Sequence, residues 1–292
     1  MSIPPETGAY TGAMGSDFTA GDGTRLSRRD WPAGGTARGT VLVVHGLGEH
    51  KGRYAPLAQR LAAQGWHVTA YDHRGHGESP GPRGAIPDDE ALLRDLGAVV
   101  DAARAERRGP LVLLGHSMGG LVASRFVSEG LRSSPAAWSR PVDALVLSSP
   151  ALQADTSVSQ KLQLAVIGRL LPGLAVPNGL QPAWVSRDAA VVAAYVADPL
   201  VHDRITPRLA RFILEGGERV RRLAPLWRVP TLLMWAGADR CVAARGSEAF
   251  ARAAPAGIVE AQGFPDLYHE IFNEPEREQV LSRLERWLAA IG

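Results

Sequence analysis

The sequence predicts an α/β fold, a wound and mostly parallel sheet of eight strands flanked by helices and interrupted once by a helical insertion. Three observations carry that expectation. Strand-like apolar runs alternate with amphipathic helix-like ones from residue 40 to residue 148, the signature of a parallel sheet built from crossovers. Residues 40–44 (TVLVV) and 111–114 (LVLL) are apolar without alternation, as strands covered on both faces are. Residues 151–227 hold no such run, and the sheet pattern resumes at 231–235 (TLLMW).

Taken in order, residues 1–15, rich in Gly, Pro and Thr, read as a mobile tail. Strands are expected at 17–20 and 25–31, split by the turn signal Gly21-Asp22-Gly23. After the third strand at 40–44 comes a helix over 54–64, with Pro56 in its first turn and Gly65 closing it. A strand at 66–71 and an amphipathic helix at 92–106 follow, the helix ended by Gly109-Pro110. The strand at 111–114 leads into a helix at 121–127, and 143–148 is the sixth strand. The insertion contains helix-like segments at 159–171, 188–197 and 207–223. Beyond it lie the strand at 231–235, a helix at 247–254, a strand at 258–261 and a last helix at 276–290. The domain reading is therefore a tail (1–15), an α/β core (16–150 with 228–292) and an inserted helical unit (151–227).

Composition narrows the partners. Of 292 residues 45% are hydrophobic, enough for a full core, and the net charge is only +2. No basic stripe interleaved with aromatics is present, so nucleic acid is not an expected partner. The single cysteine, Cys241, excludes an internal disulfide and fits a reducing compartment. The start MSIPPETGAYTGAMG has neither the basic end nor the apolar core of a signal peptide, and no apolar run reaches the roughly 18–20 residues that span a bilayer. The expected location is the cytoplasm.

The chemistry centres on Gly115-His116-Ser117-Met118-Gly119, a G-x-S-x-G placed between a strand and a helix. A nucleophilic serine must stand on a crowded turn at the end of a sheet strand, and glycines two before and two after relieve the crowding. The helix beginning there aims its N-terminal N–H groups at any oxyanion formed. Reading only the C-terminal ends of the strands, where wound sheets gather their sites, gives a short list of polar groups. A serine nucleophile needs a base, and the base needs an orienting acid, in the chain order Ser, acid, His. Only His202 and His269 follow Ser117. His269 lies in the loop before the last helix, where it can lean over the serine; His202, inside the insertion, reads as a surface or packing residue. Asp239, just past the 231–235 strand, is the expected acid. Asp155 is its rival at the mouth of the insertion, and Asp266 is too close to His269 in sequence. The oxyanion is expected to meet the backbone N–H groups of Met118 and of Leu47, in the loop after the 40–44 strand. His45 and His116 read as braces for their loops. The histidines of 45–50 and 73–76 lack the spacing of known zinc motifs, so neither a metal nor a cofactor is expected.

Five stretches together, HGLGEHKGRY (45–54), YDHRGHGES (71–79), GHSMGG (115–120), GADR (237–240) and YHEIFNEPER (268–277), resemble the monoacylglycerol lipase and lysophospholipase-like branch of the α/β-hydrolase superfamily. The similarity runs from about residue 16 to the C-terminus and is weakest through the insertion. It implies Ser117, Asp239 and His269 as a triad, with Leu47 and Met118 as oxyanion donors, the same five residues reached above. It also implies that 151–227 is a cap, or lid, over an acyl-chain tunnel that touches the lipid surface.

The expected reaction is hydrolysis of a lipid ester through an acyl-enzyme, with monoacylglycerol or lysophospholipid as substrate. Residues 162–171, apolar over more than one helical stripe and flanked by Lys161 and Arg169, fit either transient contact with a membrane or micelle or burial against the core. Carboxylesterases and aminopeptidases or amidases share much of the pattern and stand as the alternative. Haloalkane and epoxide hydrolases place aspartate where Ser117 stands. A non-catalytic binding protein on the same scaffold is the remaining class. Cys241, two residues past the acid, reads as a small buried filler.

Overall fold

The structure, a computed structural model, describes residues 16–155, 168 and 170–291. Phe18–Thr19 (β1) and Arg25–Leu26 (β2) form a small antiparallel hairpin. Arg28–Trp31 (β3), Gly39–Val44 (β4), Trp66–Tyr71 (β5), Leu111–His116 (β6) and Ala144–Ser148 (β7) then enter the central sheet. Val176–Pro177 (β8) and Arg204–Ile205 (β9) pair with each other alone, and Thr231–Ala236 (β10) and Val259–Phe264 (β11) complete the sheet. The helices are Ala55–Ala63 (α1), Ala91–Glu106 (α2), Met118–Glu129 (α3), Ala189–Ala197 (α4), Pro207–Leu223 (α5), Ala244–Ala253 (α6) and Arg277–Leu288 (α7).

The sheet order is β11-β10-β7-β6-β4-β5-β3, parallel throughout except for β3, which runs antiparallel to β5. It has seven strands where eight were expected. The expected strand at 25–31 is broken at Ser27, whose N–H bonds the Ser79 hydroxyl (2.9 Å) and whose carbonyl takes the Asp72 N–H (2.8 Å). Those bonds turn the chain, so its first half pairs with β1 and only β3 reaches the sheet. The remaining expected strands and described helices fall where the hydrophobic period put them, to within a few residues at their ends. Most of the expected helix at 159–171 lies outside the described residues.

Strand β6 is the middle of the seven and is buried along its whole length. Its neighbours alternate their side chains between two cores. Leu42 and Val44 join Leu113, Leu147 and Leu233 on the face covered by α2, α3 and α5, while Val41 and Val43 join Val112, Leu114 and Val146 under α1 and α7. Because β4 and β7 flank β6 in parallel register, Val44 lies beside Gly115 and Ser148 beside His116. The loops leaving all three strands therefore open at one edge of the sheet, on the same side.

Between β7 and β10 the chain adds no strand to that sheet among the described residues. Helix α5 starts on Pro207 with the Thr206 hydroxyl accepting the Leu209 N–H at 3.4 Å, a proline-first capped start. Its apolar face, Leu209, Phe212 and Val220, packs into the same core as α3. Gly217 permits the approach, since a Cβ there would lie 2.3 Å from the Leu152 carbonyl oxygen. Helix α4 is different: Asp188 caps it through the Ala190 N–H (2.9 Å), yet none of its nine residues is buried. No helix among the described residues is long and apolar enough to cross a membrane.

Candidate active site

Strand β6 ends in the turn that carries Ser117, and this residue has φ 54° and ψ −120°, a conformation that non-glycine residues rarely adopt. The surrounding structure enforces it. The Ser117 N–H bonds the Ser148 carbonyl (3.0 Å), and its own carbonyl accepts from Ala151 (2.9 Å) and Leu121 (3.1 Å). The two glycines are required by contact. A Cβ on Gly115 would sit 2.6 Å from the Gly119 carbonyl oxygen, and one on Gly119 would sit 2.0 Å from that of Val44. Gly119→Ala is therefore expected to destabilise the fold by about 3 kcal/mol, since backbone and not a flexible side chain must move. Chemical denaturation of the variant, with an unchanged m-value, checks this.

His269 lies buried in the loop between β11 and α7, and its Nδ1 donates to Asp239 Oδ2 at 2.7 Å. That bond leaves Nε2 with its lone pair free to take a proton. Asp239 is held in turn: its Oδ1 accepts the N–H groups of Cys241 (2.8 Å) and Val242 (3.0 Å), which pins the carboxylate beyond β10. These bonds hold the turn before α6 and use the oxygen that does not face His269. Arg240 does not pair with Asp239; it stacks over the Tyr268 ring at 5.0 Å. Burial disfavours the His269 imidazolium, but the Asp239 charge and hydrogen bond, with Glu270 and Glu49 behind, outweigh it and raise the pKa above the ordinary histidine value.

Ser117, His269 and Leu47 line one cavity of about 760 Å³. Ser117 Oγ makes no hydrogen bond among the described residues, a common state of an unliganded nucleophile. Gly46 lets the loop after β4 come close, since a Cβ there would be 3.1 Å from Ser117 Cβ and 2.8 Å from Glu49 Oε1. The Leu47 and Met118 N–H groups meet no acceptor among the described residues. Of the rivals, Asp155 stands elsewhere, exposed and paired with Arg245, while His202 lines the same cavity but packs its ring on His76 at 4.7 Å.

His45 braces its loop as expected. Its Nε2 accepts the His73 N–H (2.9 Å), which leaves Nδ1 to donate to the Gly46 carbonyl (2.8 Å). His116 is buried, donates from Nδ1 to the Ser148 carbonyl (3.0 Å) and lies 4.7 Å from the His269 ring. Burial, then the His269 charge, push its pKa down to about 4, so it stays a neutral wall. Cys241 lines the cavity. Asp239, Cys241 and His269 bring one donor atom each within 4.8 Å of one another, as a metal would need. Two of the three are already joined to each other by the 2.7 Å carboxylate–imidazole bond, and burial with the Asp239 charge pushes the Cys241 thiol pKa up.

One part of the site was not anticipated as a unit. Arg53 joins Glu49 (2.9 Å) to Glu270 (2.6 and 2.8 Å, bidentate), with the Tyr195 ring of α4 at 4.8 Å from the guanidinium. Glu49 also accepts from the Gly46 N–H (2.6 Å) and the Tyr54 hydroxyl (2.7 Å). The loop holding Leu47 and the loop holding His269 are thereby tied to one cation whose side chain is 11% exposed. The four-residue spacing of Glu49 and Arg53 was a legible clue to half of it.

Comparison with known proteins places this geometry. A family model described as serine aminopeptidase, S33, matches residues 35–276. The monoacylglycerol lipase of Mycolicibacterium smegmatis is 38% identical over 94% of this chain and 96% of its own length. Phospholipase YtpA of Bacillus subtilis is 32% identical over 82% of this chain and 91% of its own. Among solved structures, the monoacylglycerol lipase of Paleococcus ferrophilus superposes with a TM-score of 0.80 at 33% identity, covering 91% of this chain and 99% of that one.

Proposed function

This chain belongs to the serine aminopeptidase S33 family of α/β-hydrolases, and from that premise we propose that it hydrolyses carboxylic esters of monoacyl lipids, monoacylglycerols or lysophospholipids, through an acyl-enzyme on Ser117. The observation that carries the reading is the 2.7 Å His269–Asp239 pair, whose His269 lines one cavity with a serine forced into a positive-φ turn. Ser117 Oγ attacks the ester carbonyl while His269 Nε2 takes its proton, and Asp239 stabilises the imidazolium. The carbonyl oxygen turns into the Leu47 and Met118 N–H groups, at the N-terminus of α3. His269 returns the proton to the departing alcohol; water then repeats the sequence and frees the fatty acid.

Residues 151–227 serve as the cap, with α5 anchoring it in the core. The exposed large apolar side chains among the described residues of this region, Leu170, Leu171, Leu174, Val176, Val196 and Leu226, support transient contact with a membrane or micelle. An aminopeptidase reading needs a free carboxylate for the peptide's ammonium group. Among the described cavity-lining residues each carboxylate is engaged: Glu49 and Glu270 by Arg53, Asp198 by His50, and Asp203 by Arg204. That favours esters. A panel of monoacylglycerols, lysophospholipids, short p-nitrophenyl esters and aminoacyl amides tests the reading, and turnover of the amides alone would sink it.

The active base is neutral His269. Since its pKa is raised, kcat/KM should climb with pH through a midpoint above the ordinary histidine value of 6.5. A pH–rate profile of the wild-type enzyme, flat from pH 5.5 to 8.5, would exclude His269 from this role.

A further inference from the structure

Among the described residues lining the cavity, every charged side chain but one has an ion-pair partner. Arg83 lines it from the loop after β5 and is half-buried. Its Nη1 is shielded from solvent and has no hydrogen-bond partner, and no carboxylate pairs with it among the described residues. A guanidinium nitrogen shielded from solvent without an acceptor is unfavourable, and a ligand that brings an acceptor relieves it.

The setting is rigid. The Gly84 carbonyl, next to Arg83, takes both the N–H (2.9 Å) and the hydroxyl (3.1 Å) of Thr206. A Cβ on Gly84 would lie 2.1 Å from the Arg204 carbonyl oxygen. The Arg83 loop is thus locked to β9 across the cavity wall, and the Gly48 carbonyl holds the His202 N–H (2.9 Å) beside it. Burial, then the Arg83 charge, lower the His202 pKa to about 4, which keeps the neighbouring ring neutral, and the nearby Asp203 is paired with Arg204. The Leu47 loop therefore connects the reacting serine directly to the cationic end of the cavity.

We infer that Arg83 is a subsite for the phosphate of a monoacyl lipid head group, so that this chain acts on phosphorylated monoacylglycerols in preference to neutral ones. The inference rests on the lipid-ester reading above. Ordinary monoacylglycerol offers only hydroxyls, which do not neutralise an unpaired guanidinium. A phosphate supplies charge and paired oxygens that match the guanidinium fork. The ester carbonyl then sits at Ser117 while the head group lies along the Leu47 loop.

The test measures kcat/KM for monoacylglycerol and for its 3-phosphate with the same acyl chain, for wild type, Arg83→Gln and Arg83→Lys. Wild type is expected to favour the phosphate, and the phosphate-to-neutral ratio to fall about 10- to 100-fold in Arg83→Gln, with Arg83→Lys between. An unchanged ratio in Arg83→Gln, or a wild type that prefers the neutral lipid, overturns the subsite. No turnover of either lipid by wild type overturns the lipid-ester reading instead. Fluorophosphonate labelling of Ser117 in each variant reports folding. Should Arg83→Gln fail to label, inorganic phosphate decides on wild type: competitive inhibition of neutral-lipid hydrolysis supports the subsite, and its absence up to 50 mM (on the order of a weak anion site's range) overturns it.

Discussion

Ser117→Ala is expected to lower kcat by roughly 10⁴-fold or more, with no change in the fold. The nucleophilic oxygen is lost outright, while the backbone that carries it is held by bonds from Ser148, Ala151 and Leu121 that alanine keeps. Alanine at φ 54° bears the same strain as serine, so the turn gains no new cost. Ser117 Oγ holds no hydrogen bond among the described residues, so its removal strands no buried partner. The measurement is single-turnover kinetics with fluorophosphonate labelling beside a thermal melt. A variant that loses labelling and turnover but keeps its Tm within about 2 °C fits a nucleophile. Turnover retained within tenfold would remove Ser117 from the chemistry.

Asp239→Asn is expected to cost about 10⁴-fold in kcat, and Asp155→Asn to leave it within about twofold. The reason is a proton's position. The carboxylate accepts from His269 Nδ1, which leaves Nε2 as the basic nitrogen. An asparagine can keep its carbonyl oxygen on the Cys241 and Val242 N–H groups, since those bonds fix the turn. Its amide then faces His269 as a donor, which reverses the tautomer and turns Nε2 into an N–H that cannot take the serine proton. The same change removes the charge that raises the His269 pKa, so any residual activity should rise at lower pH than in wild type. Asp155 pairs with Arg245 on the surface and touches none of this. A crippled Asp155→Asn with an active Asp239→Asn would reverse the assignment of the acid.

These effects follow from groups that were visible in the sequence because each stands at the end of a strand that its own apolar run betrays. Ser117, Asp239 and His269 come after β6, β10 and β11, and the place of His269 in the loop before the last helix, against that of His202 inside the insertion, singled it out. The glycines at 115 and 119 were likewise predictable, since the need to lack a Cβ is a local property of the turn. The strand at 25–31 was misjudged for the opposite reason: its break at Ser27 is made by Ser79 and Asp72, about fifty residues away, and no local period records it.

Arg53 shows the same limit at the site itself. Its spacing from Glu49 is local, but its bidentate bond to Glu270 joins residues 217 apart and exists only because two sheet-edge loops meet. Arg83 is a sharper case, because an arginine's significance here is the absence of a counter-charge, and absence of a partner can be judged only when all neighbours are in place. The sequence by itself determined the layered α/β architecture and the positions of Ser117, Asp239 and His269 at the ends of strands, since these depend on periodicity and turn chemistry within short segments. Tertiary structure decided the strand count, the ion network behind the base and the cationic end of the cavity. Those depend on which charges and hydrogen-bond donors are brought together, and which are left unmatched, when distant loops are buried against one another.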